Sequence, residues 1–457
     1  MRLVLDGHQR LSTLIAILGP ALEGYRRADI DNLSYQEEWI FDVSDDDEIA
    51  GELRFKLLRN GGRPMPKQVP LGIALDRVKL NDWVRKQKKL NRDEIRRVDS
   101  LRDRLREFSI PVATLAAESL DEATETFKRV NSSGTPMSDF HMVAALAYTN
   151  GFDPQEQFEK VRSELLEPVG WGDFDDAAIL RVCAGLVRRA GDASQHPAKL
   201  EIARLSQSLR ADVKLIEKAG TSIANAASLL RKAVGVHGAE ALPYSWQLIV
   251  LAIELGDRSN QELKAKEITQ FARWFWLTTY GGVFAGVNSA IVDRAGRALS
   301  EMLLGKDETA MQLDIGRRVE EPGRFDFRAA RARACLLAIA REQDDGNLNG
   351  RTHRALVEGS KAVQTLIPKG GRSIWYNLVI ENDYDRLRSL RDALKKKAAG
   401  EKGAEESKIL AEFSIRPKDK GDVDQLIQHR RMRILSGEKE FVEQLGFDWR
   451  DSSLRSA

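Results

Sequence analysis

The chain has 457 residues, of which 42% are hydrophobic and 31% charged, and its formal net charge at pH 7 is +2. This length predicts two to four domains, and the near-neutral charge excludes a protein that binds polyanions through a uniformly basic surface. The longest unbroken apolar stretches, Met142 to Tyr148 and Ala334 to Ala340, fall far short of the roughly 20 residues of a membrane-spanning helix. We therefore expect no membrane partner.

Cysteine usage and the N-terminus indicate the compartment. Cys183 and Cys335 lie far apart, and no Cys/His cluster has metal-ligand spacing, so we expect no zinc. Polar residues from Asp6 onward interrupt the apolar stretch that a secretory signal requires. These features predict a reduced, cytoplasmic protein.

Residues 1–150 predict a mixed α/β domain. Hydrophobic periodicity predicts helices over Leu11 to Leu18 and residues 81–107, and strands over Leu3 to Leu5, Trp39 to Val43, Leu53 to Leu58 and Phe108 to Val112. Strand patterns fade after this region, so the expected fold class is α+β, with a mainly helical remainder.

Residues 151–325 predict a helical domain. Its expected helices are Asp175 to Arg189, Pro197 to Ala219, Ser222 to Val234, Leu242 to Leu255, Ala265 to Tyr280 and Ser289 to Leu304. The aromatic stretch Phe271 to Trp276 is compatible with base stacking, but core packing is the more usual role. Residues 326–457 predict a third, helical region, with a helix over Ala329 to Arg341, a break at Asp344 to Gly346 and a polar linker over Ala398 to Ser407.

Charge is unevenly distributed along the chain. Residues 37–52 carry eight acids and no base, whereas Arg85 to Arg106 holds ten Lys/Arg against four acids. Lys395 to Lys397 and Arg430 to Arg433 are further basic clusters. Such clusters either contact phosphates or form solvated helix faces, and the second outcome is the more usual one.

The stretch Asp6 to Leu14 (DGHQRLSTL) carries the strongest chemical signal. A strand running through an Asp-Gly turn into a helix leaves free N–H groups at the helix start, where phosphate binds readily. Arg10 can add a bidentate phosphate contact, Asp6 can hold a metal ion or cap the helix, and Gln9 can orient a water. The alternative is a capped strand–helix turn without a ligand.

This stretch resembles the Asp-Gly-Gln-Gln-Arg-Leu-Thr-Thr-Leu (DGQQR) motif of the GmrSD-type restriction endonuclease N-terminal domain. That domain belongs to the ParB/sulfiredoxin-like superfamily, in which this strand–turn–helix contributes to a nucleotide site. Only His8 and Ser12 differ from the commonest pattern. Replacing a Gln amide by the His8 imidazole changes reach and donor count, which leaves nucleotide hydrolysis open.

The resemblance implies roles for five consecutive residues. Asp6, Gln9 and Arg10 would be catalytic, with Asp6 as metal ligand or base, Gln9 orienting water and Arg10 holding phosphate. Gly7, His8 and Arg10 would bind the nucleotide, and Mg²⁺ at Asp6 would neutralise its phosphates.

A second stretch, Phe127 to Ser138, is similar to the family's Phe-x-Arg-x-Asn-x-x-Gly-x-x-Leu-Ser pattern. A helix is expected to end near Asn131, Gly134 supplies a turn, and Ser138 caps a new helix. The resemblance implies that Asn131 and Gly134 contact the nucleotide. The alternative is an ordinary helix–loop–helix joint.

The chain departs from the family in two places. The family's upstream Gln-Arg-x-Tyr-x-Trp segment is absent, so either the true start lies before Met1 or the protein is truncated. Many relatives also end in an HNH nuclease domain with a His-His-Ile-x-Pro core, whereas Gln364 to Lys369 reads Gln-Thr-Leu-Ile-Pro-Lys. An HNH centre needs histidine to activate water and hold a metal. This implies a degenerate HNH-like region.

The resemblance therefore implies an NTP-binding component of a bacterial anti-phage restriction system that lacks an intact HNH nuclease centre. NTP hydrolysis would make it an NTPase related to type IV restriction subunits. DNA and a separate nuclease subunit are its expected partners besides the nucleotide. The alternatives are a non-catalytic DNA-binding or interaction subunit and an inactive truncated relative.

Overall fold

The computed structural model describes residues 8–19, 38–44, 54–58, 64–87, 90–110, 122, 138–149, 151–256, 263–306, 313, 318–368, 371–401 and 403–450. The chain divides into two compact units, Met1–Pro136 and Met137–Ala457. Both contain helices and small sheets, so the fold class is α+β.

Within its described residues, the first unit has a three-stranded antiparallel sheet and three α-helices. The strands are β1 (Glu38–Asp42), β2 (Phe55–Leu58) and β3 (Gln68–Pro70), in the order β2-β1-β3. The helices are α1 (His8–Leu18), α2 (Arg77–Lys86) and α3 (Arg92–Glu107). In the register, Trp39 lies opposite Leu57 and Phe41 lies opposite Val69. The strands and helices of this unit enclose a core cluster of buried residues: Val43, Val69, Leu71, Ala74, Leu80, Val98 and Leu101.

The predicted helix over residues 81–107 is wrong, because the structure has two helices there. Helix α2 ends at Lys86, and α3 begins after Asn91, whose side chain accepts from the Glu94 N–H at 2.8 Å. The Glu94 carboxylate in turn accepts a hydrogen bond from the Asn91 N–H at 2.9 Å, and the two bonds form a capping box. This reciprocal capping satisfies backbone donors that a continuous helix would use internally.

The strand predictions for the first unit have mixed outcomes. The strands predicted at Trp39 to Val43 and Leu53 to Leu58 are confirmed by β1 and β2. Phe108 to Ile110 form no strand and are exposed, with 70% of Phe108 accessible. The predicted strand Leu3 to Leu5 lies outside the described residues.

The second unit is built mainly from helices. They are α4 (Asp139–Ala147), α5 (Pro154–Val161), α6 (Asp176–Arg189), α7 (Ile202–Ala211), α8 (Leu215–Val234), α9 (Ser245–Leu255), α10 (Ala265–Tyr280), α11 (Ser289–Leu303), α12 (Ala330–Gln343), α13 (Arg351–Ala355), α14 (Tyr384–Ala398), α15 (Ala404–Glu412) and α16 (Val423–Gln444). Helix α9 is central and packs against α6, α8 and α11. The first domain predicted over residues 1–150 includes α4, whereas α4 packs on α7 and lies in the second unit.

Most predicted helices of this unit are confirmed, and the exceptions have local causes. The helix predicted over Pro197 to Ala219 is interrupted, since α7 ends at Ala211 and α8 begins at Leu215. The Asp212 side chain accepts from the Lys214 N–H at 3.1 Å and thereby stabilises the turn between them. The linker predicted over Ala398 to Ser407 is shorter, because α15 begins at Ala404.

Two small sheets complete the second unit. Strands β4 (Val319–Glu320) and β7 (Trp449–Arg450) are parallel. Strands β5 (Val363–Thr365) and β6 (Leu378–Ile380) form an antiparallel hairpin that α14 follows in the chain. Among the helices that the structure describes, none is long and apolar enough to span a membrane.

Candidate functional site

The first motif lies at the start of α1. The helix begins at His8, directly after the Asp6-Gly7 pair, which agrees with the predicted helix after the turn. Asp6 and Gly7 lie outside the described residues, as do the side chains of His8, Gln9 and Arg10. Further along α1, Ile17 and Leu18 pack against the core of the first unit. That core therefore anchors the helix at whose N-terminus the motif lies.

The second motif is described only at its last residue. Ser138 caps α4, as predicted, by accepting a hydrogen bond from the His141 N–H at 3.3 Å. Asn131 and Gly134 lie outside the described residues. The division between the two compact units falls inside this motif, between Pro136 and Met137.

The hairpin and α14 occupy the region whose sequence is similar to a degenerate HNH domain. The loop between β5 and β6 is held by Asn377, which is 2% exposed. Its Oδ1 accepts from the Ile367 N–H at 2.8 Å, and its Nδ2 donates to the Ile367 carbonyl at 3.0 Å. The asparagine therefore satisfies both backbone groups of one loop residue and fixes the loop.

Thr365 and Leu366 stand where the HNH core has histidines, and both make contacts that stabilise the fold. Leu366 is 1% exposed and packs in a core cluster with Leu390 and Leu394 of α14. The Thr365 carbonyl accepts a hydrogen bond from Arg391 Nη2 at 2.6 Å. Neither side chain can activate a water. Across the described ranges, no group of three or more His, Cys, Asp or Glu side chains could hold a metal ion.

One carboxylate next to the hairpin is committed to ion pairs. Glu381 follows β6 and its side chain is fully buried. It accepts two bonds from Arg351, at 2.8 and 2.6 Å, and its Oε2 lies 3.2 Å from Arg386 Nε. Because two guanidinium groups surround it, this carboxylate serves as a structural link between α13, the hairpin and α14.

The C-terminal basic clusters are engaged within the fold. Lys396 pairs with Glu406 at 2.7 Å, and Lys397 donates to the Pro417 carbonyl at 3.0 Å. Arg433 pairs with Asp419 at 3.0 Å. Solvated helix faces are the more usual outcome for such clusters, and Lys395 and Lys396 are exposed in agreement with it. The expectation is wrong for Arg430, which is buried.

Arg430 is the most constrained member of these clusters. Its side chain is 0% exposed, and burial lowers the pKa of its guanidinium to about 10. Nε donates to the Phe413 carbonyl at 3.0 Å and Nη2 to the Leu378 carbonyl at 2.8 Å, and Nη1 donates to the Tyr376 carbonyl. A buried charge is tolerated when hydrogen bonds satisfy it. Sequence reasoning missed this role, because a basic run on a helix gives no sign of burial.

The sequence also gives no sign of the buried contact between His353 and Asp344. His353 is 1% exposed, and its Nδ1 lies 2.9 Å from Asp344 Oδ2. Burial lowers the pKa of His353 despite the neighbouring carboxylate. A Cβ on Gly235, which has φ +73°, would lie 2.3 Å from the imidazole. The imidazole is therefore sealed by glycine backbone and has a packing role.

Comparison of the chain with protein-family models, with curated proteins and with solved structures finds no match.

Proposed function

We propose that this chain is an NTP-binding component of a GmrSD-like restriction system of bacterial anti-phage defence, with a ParB-like first unit. The observation that supports the proposal is the motif Asp6 to Leu14 at the beginning of α1. Free N–H groups at a helix start attract phosphate, and an arginine in the first turn adds a charged donor. In this proposal the protein is cytoplasmic and Mg²⁺ accompanies the nucleotide at Asp6.

Within this proposal, each motif residue has a distinct task. Arg10 holds a phosphate, Gln9 orients water if the nucleotide is hydrolysed, and Gly7 lets the backbone approach the ligand closely. His8 contributes a hydrogen bond where the family has glutamine. Asn131 and Gly134 contact the nucleotide from the second motif.

Replacing Arg10 by alanine should weaken NTP binding by about 10- to 100-fold, because a charge-assisted bond contributes about 1.5–3 kcal/mol. The measurement is calorimetric titration of the full chain with each NTP and Mg²⁺, with phosphate release assayed in parallel. Arg104→Ala is the matched control, since Arg104 is an exposed arginine on α3 of the same unit. Equal affinity in wild type and Arg10→Ala, or no binding by wild type, would contradict the proposal.

A second candidate is a non-catalytic DNA-binding subunit, and the surface of α14 favours it. Arg388 is exposed and, among the described residues, makes no hydrogen bond or ion pair. Arg391, which also donates to the Thr365 carbonyl, lies three residues further on along the same side of the helix. Lys395, which pairs with Asp392 at 3.3 Å, lies seven residues further on. A helix face of this kind is suited to phosphate contacts that carry no base specificity.

If α14 contacts DNA phosphates, the DNA-binding constant of Arg388→Ala should depend less steeply on salt. The slope of its logarithm against the logarithm of the salt concentration should be smaller in magnitude by about 0.9. Fluorescence anisotropy of a labelled duplex over a series of salt concentrations measures this slope. Arg328→Ala is the control, because Arg328 is exposed on the same unit and pairs with Asp326 at 2.9 Å. An unchanged slope for Arg388→Ala would count against this second candidate.

A further inference from the structure

A cleft in the second unit is not used by the proposed function. It has a volume of about 330 Å³ and lies between α10, α12 and the C-terminal half of α16. The floor is formed by Glu438, whose side chain is 1% exposed and pairs with Arg331 at 2.7 Å. Since the floor is a neutral ion pair, the walls and rim decide what the cleft can bind.

Aromatic rings form two walls of this cleft. The rings of Trp276 and Phe441 have centroids 5.3 Å apart and are nearly perpendicular, at 85°. Trp276 is also stacked on Tyr280 at 5.9 Å. A flat nucleobase needs a parallel slot or an open platform, whereas perpendicular rings form a corner. A corner of aromatic rings suits a compact organic cation.

The rim carries negative charge. Glu342, Asp345 and Glu440 line the cleft, against a single cation, Arg341. Among the described residues, the carboxylates of Glu342 and Asp345 make no hydrogen bond or ion pair. Helix α12 ends at Gln343, so its carbonyl end adds partial negative charge at the same place.

One face of Phe441 already holds a cation. The guanidinium carbon of Arg341 lies 4.6 Å from the centroid of the Phe441 ring. Arg341 is otherwise exposed. The contact shows that this ring face can accept a guanidinium group.

Gly437 keeps part of the cleft wall open. It lies in the interior of α16, and a Cβ at this position would meet no atom within 4 Å. Glycine is less favourable than alanine inside a helix, and here packing does not require it. Alanine at this position would project a methyl group into space that a ligand can use.

We propose that this cleft binds an organic cation of the guanidinium or alkylammonium type, and that Arg341 occupies the Phe441 face when the ligand is absent. The aromatic corner supplies the cation–π contact, and Glu342, Asp345 and Glu440 supply the opposing charge. Two sources share this chemistry, namely a free polyamine and the arginine or lysine side chain of a peptide.

The test is calorimetric titration of the full chain with putrescine and with acetyl-arginine amide, at constant ionic strength. Both probes carry the proposed group, and the one that binds more tightly identifies the source. Phe441→Leu should weaken binding by about 2- to 30-fold. Arg341→Ala should strengthen it, because the competing guanidinium is removed.

Two further variants separate ligand binding from stability. Gly437→Ala should weaken binding while raising the melting temperature, since alanine favours the helix. Tyr384→Leu is the control, because Tyr384 is an aromatic residue on α14 with 77% exposure. No saturable binding by wild type and by Arg341→Ala would overturn the proposal. Weaker cation binding by Arg341→Ala would also overturn it, because Arg341 would then belong to the site.

Discussion

Replacing Arg430 by alanine should lower the free energy of unfolding of the second unit by about 3–5 kcal/mol. The substitution leaves the carbonyls of Tyr376, Leu378 and Phe413 buried without a donor. It also empties the volume of a fully buried side chain. Urea denaturation followed by circular dichroism measures the loss, and hydrogen exchange should show it first in the β5–β6 hairpin.

The control for this prediction is on the same helix. Gln428→Ala removes an exposed side chain two positions away and should change stability by no more than about 0.5 kcal/mol. The stability of Arg430→Lys should lie between those of Arg430→Ala and Gln428→Ala. An ammonium group keeps the charge but cannot bond three carbonyls in the planar geometry of a guanidinium. If Arg430→Ala is as stable as Gln428→Ala, the three hydrogen bonds do not stabilise the fold.

The second large effect is expected at Glu438. Its carboxylate accepts from Arg331 at 2.7 and 2.9 Å and from the Tyr280 hydroxyl at 2.9 Å. Burial alone would lower the pKa of Arg331, but the ion pair with Glu438 raises it. Glu438→Ala leaves a guanidinium without its carboxylate. We expect the free energy of unfolding to fall by about 3 kcal/mol. This is the lower end of the range for a buried ion pair that loses one partner, because the Arg331 side chain is 29% exposed.

A double-mutant cycle isolates this ion pair. Arg331→Met removes the charge that Glu438→Ala leaves uncompensated, so the double variant should be more stable than the sum of the single losses implies. Urea denaturation of the four proteins gives the coupling energy. Purely additive losses would show that the contact between Arg331 and Glu438 contributes nothing.

Hydrophobic periodicity predicted most helix positions, and the structure shows capping side chains where several of them begin. Asp175, Ser138 and Asn288 stand immediately before α6, α4 and α11, and each side chain accepts from a backbone N–H of its helix. Capping residues of this kind mark a helix start because they satisfy its free donors. Asn91 caps α3 in the same way, but it lies within a run of basic residues whose pattern predicts one continuous helix.

The sequence could not predict contacts between distant residues. Arg430 lies in a basic run that has the composition of a solvated surface, and its burial depends on carbonyls from three other segments. The cleft depends on three helices that are far apart in the chain. Of the motif residues, the structure places the start of α1 at His8, and the nucleotide site itself stays a prediction.

The contacts of Arg430 have a consequence for protein synthesis. The Tyr376 carbonyl is 54 residues upstream of the guanidinium that bonds it. At about 5–20 residues per second, a ribosome adds those residues in about 3–10 s. During that interval the hairpin has left the peptidyl-transferase centre, but its donor has not yet been made. The hairpin therefore cannot complete its native hydrogen bonds until α16 has been synthesised.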